Sequence, residues 1–116
     1  MLYDPKWEAP AETKPIEQWR KLLLDAADYI ESHGWHRWSL GTEGGPVCAV
    51  GGLWMAFQGN IPAIGNWNTG RSIDEAYGHL SHHVSKIGHY CLATWNDAEG
   101  RTKEEVAATL RAVANS

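Results

Sequence analysis

A chain of 116 residues, of which 43% are hydrophobic and 21% charged, is long enough to fold as one domain and too apolar to remain disordered. Its formal net charge of −4, without a basic cluster, disfavours nucleic acid as a partner. No apolar run approaches the roughly 20 residues of a membrane-spanning helix, and the N-terminus lacks the order of a signal peptide. The chain is therefore predicted to be cytoplasmic with two reduced cysteines, although a disulfide between them stays open.

Residues 1–14 contain two prolines and alternating charges, which predicts an extended arm before a single helical domain over 15–116. Thr13 and Pro15 offer a start for the first helix. Apolar residues then recur at three- and four-residue steps, so we expect an amphipathic helix that Gly34 closes. Its predicted buried face comprises Ile16, Trp19, Leu23, Ala26 and Ile30.

A glycine-rich turn separates residues 38–40 from residues 46–48, and the two segments are predicted to pair as a short β-hairpin. A central helix follows with apolar residues at helical spacing, and it ends near Gly59. Gly51 and Gly52 lower its helix propensity by up to about 2 kcal/mol. We therefore expect another helix to approach closely at this glycine pair.

Residues 60–71 are predicted to form a loop, followed by two further helices with capping-box spacing. Ser72 and Glu75 predict a helix from Ile73, and its expected buried face comprises Ile73, Tyr77, Leu80, Val84 and Ile87. Thr102 and Glu105 predict the last helix, with Val106, Leu110 and Val113 inward. Residues 89–95 fit either a helical turn or a strand. The predicted fold class is mainly α, a compact single domain of about four helices with at most one short β-hairpin.

Cys48 is predicted to lie at the first turn of the central helix, where free N–H groups and the helix dipole favour a thiolate. With one of His79, His82, His83 and His89 as base and Asn96 or Asp97 as orienting group, it has the chain order of papain-like cysteine hydrolases, and His83, His89 and Asp97 are the candidates chosen. A cysteine-dependent hydrolase or transferase is therefore the alternative function. The competing interpretation, which we favour because little sheet is available to seat the histidine, makes Cys48 a buried packing residue.

His79 and His83 stand four residues apart on one predicted helix face and are candidates for a shared metal ion. Neither a C-x-x-C nor an H-E-x-x-H motif accompanies them, and a solvated polar face explains them equally well. No metal and no other cofactor is predicted.

Seven tryptophans are more than one core of this size usually holds. Large rings filling the core are one interpretation, and exposed rings that contact a partner are the other. Trp38 and Trp67 lie in loop-like surroundings, and Asn66 and Asn68 flank Trp67, so these four form the predicted partner-binding set. Because the net charge is negative, a protein partner fits such a surface better than nucleic acid.

Two motifs, Val47-Cys48-Ala49-Val50-Gly51-Gly52-Leu53 and the segment Trp95-Asn96-Asp97-Ala98-Glu99-Gly100-Arg101-Thr102, carry a family resemblance. They resemble an uncharacterised family of short actinobacterial and actinobacteriophage proteins with V-C-A-x-G-A-L-like and W-N-D-x-x-G-R-T-like motifs. Gly52 stands where that family usually has alanine. The resemblance implies a common fold over residues 15–114 and carries no activity.

The second motif is predicted to form a corner between helices, with Trp95 inward and Arg101 paired with Asp97 or Glu99. A catalytic carboxylate there would lack a second acid close in sequence. We therefore expect a small cytosolic protein-binding module, plausible in an actinobacterium or its phage, and favour binding over catalysis. A homodimer, with about 800 Å² buried per subunit, is the third expectation.

Overall fold

The computed structural model describes residues 17–62 and 70–116, and five helices account for the regular secondary structure of these ranges. In chain order they are α1 (Gln18–His33), α2 (Ala49–Gln58), α3 (Arg71–Lys86), α4 (Leu92–Asn96) and α5 (Lys103–Ala114). The mainly α, single-domain prediction is confirmed, and α4 is the helix beyond the four expected. The predicted arm 1–14, the helix start at Thr13 and Pro15, and Ile16 lie outside the described residues. None of the described helices is both long and apolar enough to span a membrane.

Helix α1 lies at the centre of the fold, in contact with α2, α3 and α5. The predicted inward residues Trp19, Leu23, Ala26 and Ile30 are buried, so the amphipathic pattern is confirmed. Gly34 ends the helix at a φ of 106°, and its N–H donates to the Ile30 carbonyl at 2.9 Å. An L side chain rarely adopts this φ, which explains the glycine.

The predicted hairpin between residues 38–40 and 46–48 is reduced to one antiparallel bridge, Gly41–Val47, with the Cys48 N–H donating to the Leu40 carbonyl at 3.1 Å and no strand on either side. Val47 also makes an isolated bridge to Trp35. Its N–H donates to the Gly34 carbonyl at 3.3 Å, and its carbonyl accepts from the His36 N–H at 3.0 Å. Val47 is therefore fully buried between two backbone segments, one that follows α1 and one that folds back on it across the turn.

Helix α2 begins after Cys48 and ends at Gly59, which is in the left-handed conformation, as predicted. Close approach at the glycine pair is confirmed. A Cβ at Gly52 would lie 3.0 Å from Ile30 Cδ1 of α1. A Cβ at Gly51 would overlap the carbonyl oxygen of Leu40. Gly52 thus leaves room for helix α1, and Gly51 leaves room for the Leu40 carbonyl. The spacing of residues in the sequence does not indicate the second contact.

Two predictions about α3 are wrong. The helix begins at Arg71 with Gly70 as its N-cap, so the Ser72–Glu75 capping box is absent and Glu75 instead pairs with Arg71 at 3.5 Å. The buried face of α3 comprises Ile73, Ala76, Leu80 and Val84. Tyr77 and Ile87 are exposed, because Ala76 occupies the inward position next to Tyr77 and Ile87 lies beyond the helix end.

The C-terminal part of the chain contains the last two helices, α4 and α5. Of the ambiguous segment 89–95, residues 89–91 are irregular and the rest belongs to the short helix α4, so no strand forms there. The capping box before α5 is confirmed: the Glu105 N–H donates to Thr102 Oγ1, and the Thr102 N–H donates to Glu105 Oε1, both at 3.1 Å. Val106, Leu110 and Val113 are buried as predicted.

Candidate functional site

The segment after α4 forms a rigid corner. Trp95 is buried, and the guanidinium of Arg101 lies 5.1 Å from the centre of its ring. Arg101 Nε donates to the Trp95 carbonyl at 2.9 Å. The predicted ion pair of Arg101 with Asp97 or Glu99 is wrong, because Arg101 turns back onto Trp95 and pairs with Glu105 at 3.7 Å. The corner itself is confirmed.

The side-chain amide of Asn96 connects this corner to the rest of the fold. Its Oδ1 accepts from Trp35 Nε1 at 2.8 Å and from the Ala49 N–H at 3.1 Å. Its Nδ2 donates to the His36 carbonyl at 3.1 Å and to Asp97 Oδ1 at 2.9 Å. Asn96 is only 3% exposed, and these bonds use both donors and two acceptor positions of the amide. Asn96 therefore fixes the start of α2 and the segment after α1 against α4.

Trp38 is held at this corner in an unfavourable backbone conformation. Its φ is 78°, and it is the non-glycine residue with positive φ in the described part of the chain. Its N–H donates to Asp97 Oδ1 at 2.9 Å, and its side chain is 75% exposed. The left-handed conformation costs a bulky residue roughly 1–3 kcal/mol. The pair of buried Asn96 and half-buried Asp97 thus keeps a large aromatic ring in solvent.

A cleft of about 540 Å³ opens beside Trp38. It lies between α2, α3 and α4 and has mainly apolar walls. Its large apolar and aromatic lining residues are Trp38, Leu40, Leu53, Trp54, Ile73, Tyr77 and Leu92. This volume lies within the range of about 300–1,000 Å³ typical of pockets that bind small molecules or a partner's anchoring side chains. The cleft is therefore the candidate binding site of the described chain.

The polar lining of the cleft includes two carboxylates and two thiols, besides the neutral Ser39 and Asn96. Asp74 lies in the first turn of α3, and Asp97 follows α4. Cys48 and Cys91 precede α2 and α4, and both thiols are unpaired. No lysine, arginine or histidine is among the residues of the described ranges that line the cleft. Its charge is therefore negative.

The two thiols differ in character. Cys48 is 8% exposed, and burial raises the pKa of its thiol, while the N–H of Gly51, 3.3 Å from Sγ, offsets only part of that rise. Cys91 is half-buried, and the N–H of Thr94 lowers the pKa of its thiol. Cys91, which the sequence analysis did not select, therefore has more thiolate character than Cys48. Cys91 lies in residues 89–95, which fit either a helical turn or a strand, so the sequence did not indicate that it precedes a helix.

We expect iodoacetamide at neutral pH to alkylate Cys91 faster than Cys48, because the pKa of the Cys91 thiol is lowered, that of the Cys48 thiol is raised, and Cys48 is also shielded by burial. Mass spectrometry of the folded protein measures both rates. Cys91→Ser should remove most of the labelling, and Cys48→Ala should keep it. Faster alkylation of Cys48 would contradict this assignment.

The histidines that the sequence offered as bases or ligands lie away from the cleft lining. His79 stacks on Trp19 with a ring separation of 3.8 Å. Nε2 of His89 lies 3.3 Å from Nη2 of Arg101, and His83 is half-buried on α3. The cleft thus brings Cys48 and Asp97 to one place without an imidazole from the described ranges. Within those ranges, no group of three or more His, Cys, Asp or Glu side chains is placed to hold a metal ion.

Of the predicted partner-binding residues, the structure places Trp38 at the mouth of the cleft with its ring in solvent. Asn66, Trp67 and Asn68 lie outside the described residues. Sequence reasoning missed Tyr77, which it assigned to the core and which borders the cleft instead. A core position and a cleft wall have the same helical spacing, so the pattern could not separate them.

Comparison with known proteins identifies the family of this chain. A search of curated proteins and a search of solved structures gave no match. Residues 15–116, which contain every element described above, match a family model. The chain therefore belongs to DUF6197, a family of unknown function.

Proposed function

We propose that this chain is a cytosolic binding protein whose cleft receives an apolar segment of a protein partner. The observation that carries the proposal is Trp38, which is 75% exposed at the mouth of the cleft. Its φ of 78° is maintained by the hydrogen bond to Asp97. Unfavourable backbone conformations that the surrounding structure enforces occur preferentially at functional sites.

The apolar surface at the cleft supports binding on energetic grounds. Burial of one aromatic side chain removes roughly 150–250 Å² from water, which is about 4–6 kcal/mol at ~25 cal/mol per Å². Much of that gain is offset by lost translational freedom and side-chain ordering on association. Tryptophan and tyrosine are also the side chains that most often dominate binding energy at protein interfaces, and both border this cleft.

Binding explains the cleft better than thiol chemistry at Cys48 does. The cysteine-dependent alternative needs an accessible, activated sulfur with an imidazole near it. Cys48 is 8% exposed, burial raises the pKa of its thiol, and the histidine candidates lie elsewhere. The two unpaired cysteines are consistent with a reducing compartment such as the cytosol.

A selection of random dodecapeptides on the immobilised protein tests the proposal. We expect the wild-type chain to enrich peptides, and Trp38→Ala to bind the same peptides at least about thirtyfold more weakly, which corresponds to about 2 kcal/mol. Tyr90→Ala is the matched control, because Tyr90 is 93% exposed and is not among the cleft-lining residues.

Equal affinity of Trp38→Ala and wild type would overturn the proposal. Circular dichroism of each variant keeps the test independent of folding. Self-association is a further outcome: if the protein dimerises through Trp38 and excludes every peptide, the occupant is a second copy and the proposal of a foreign partner is wrong.

A further inference from the structure

The charge of the cleft indicates what kind of partner segment it accepts. The carboxylate of Asp74 makes no hydrogen bond or ion pair with another residue of the described ranges, and only the backbone N–H of Asp74 is bonded, to the Gly70 carbonyl. Asp97 accepts hydrogen bonds from the Trp38 N–H and from the Asn96 amide, which are both neutral donors. Neither carboxylate therefore forms an ion pair with a cation of the described ranges. In a cleft with apolar walls, uncompensated charge attracts a ligand of opposite sign and repels one of the same sign.

The face of the Trp38 ring is a second indication. Three other tryptophans carry an arginine over the ring: Arg20 lies 4.4 Å from the centre of Trp19, Arg37 lies 5.4 Å from that of Trp35, and Arg101 lies 5.1 Å from that of Trp95. No cation from the described ranges lies over Trp38. An indole face in solvent near a carboxylate can bind a guanidinium. The guanidinium stacks on the ring and forms an ion pair with the carboxylate at the same time.

We propose that the segment bound in this cleft carries an arginine next to a large apolar side chain. The apolar side chain lies between Leu53, Trp54 and Ile73, and the guanidinium lies on the Trp38 ring and pairs with Asp97. This inference rests on the proposed function, since it specifies the chemistry of the partner segment. Arginine is favoured over lysine, because its planar group can stack on the ring and donate two parallel hydrogen bonds to a carboxylate.

Three synthetic peptides differing in one side chain test the inference: N-acetyl-leucyl-arginyl-leucine amide and its citrulline and glutamate analogues. Citrulline has the shape of arginine without the charge. Titrations followed by NMR of the isotope-labelled protein give each dissociation constant. We expect the arginine peptide to bind at least about fivefold more tightly than the citrulline peptide, with the glutamate peptide weakest.

Asp97→Asn removes the charge and retains an oxygen that can accept from the Trp38 N–H, so it should abolish the preference for arginine over citrulline. Glu99→Gln is the matched control: Glu99 is exposed, lies two residues further on and does not line the cleft, so the preference should persist.

The outcomes separate this inference from the proposed function. If the arginine and citrulline peptides bind the cleft with equal affinity, the inference is wrong and the proposed function stands. If the preference survives in Asp97→Asn, the assignment to that carboxylate is wrong. If no peptide binds and the dodecapeptide selection also fails, both proposals fall.

Discussion

Asn96→Ala should lower the free energy of unfolding by about 3–5 kcal/mol, measured by urea denaturation followed by tryptophan fluorescence. The substitution leaves the N–H of Trp35 and the backbone N–H of Ala49 without their acceptor, and the His36 carbonyl without its donor. Each polar group that is buried and unsatisfied costs roughly 1–3 kcal/mol. The expected loss is large because one side chain serves several elements at once.

Asn115→Ala is the matched control for this prediction. Asn115 is exposed after the end of α5, and its replacement should change the free energy of unfolding by no more than about 0.5 kcal/mol. A loss of less than about 1 kcal/mol for Asn96→Ala would show that the corner does not depend on this amide.

Gly51→Ala should destabilise the protein by about 2–3 kcal/mol or more. The new Cβ would overlap the Leu40 carbonyl oxygen and approach the Val47 side chain, so the backbone of the 40–48 segment must shift. A backbone carbonyl held by its hydrogen bond to the Cys48 N–H cannot rotate away as a side chain would. Thermal and urea unfolding measure the loss.

Gly78→Ala provides the contrast. Gly78 lies within α3 with open space where a Cβ would be, so alanine should raise the free energy of unfolding by about 0.5–1 kcal/mol. Gly52→Ala should be better tolerated than Gly51→Ala, because the Cβ would meet the flexible end of Ile30. Equal effects at Gly51 and Gly78 would contradict the packing described for α2.

Helices were predicted well where residues close together in sequence determine the contacts that start the helix or bury one of its faces. The stripe of α1 and the capping box at Thr102 and Glu105 are of this kind, since spacing along the chain fixes which groups meet. The start of α3 was missed because Ser72 and Glu75 have capping-box spacing but lie within the helix. Spacing alone does not reveal that Gly70 caps it two residues earlier.

The candidate site was harder to predict, because its properties depend on contacts between distant parts of the chain. Cys48 does cap the central helix as predicted, yet desolvation outweighs the helix N-terminus and raises the pKa of its thiol. The bonds of Asn96 to Trp35 and Ala49 join residues 61 and 47 positions apart. The exposure of Trp38 was anticipated from its loop-like surroundings, but its positive φ required the structure.

The proposed binding surface is located most directly by NMR, with isotope-labelled protein and a peptide enriched in the dodecapeptide selection. If the cleft is that surface, the largest chemical-shift changes fall on the Trp38 indole and on Leu53, Tyr77 and Asp97. Changes concentrated instead on the His79–His82 side of α3 or around Tyr90, with the cleft resonances unmoved, would contradict the proposal.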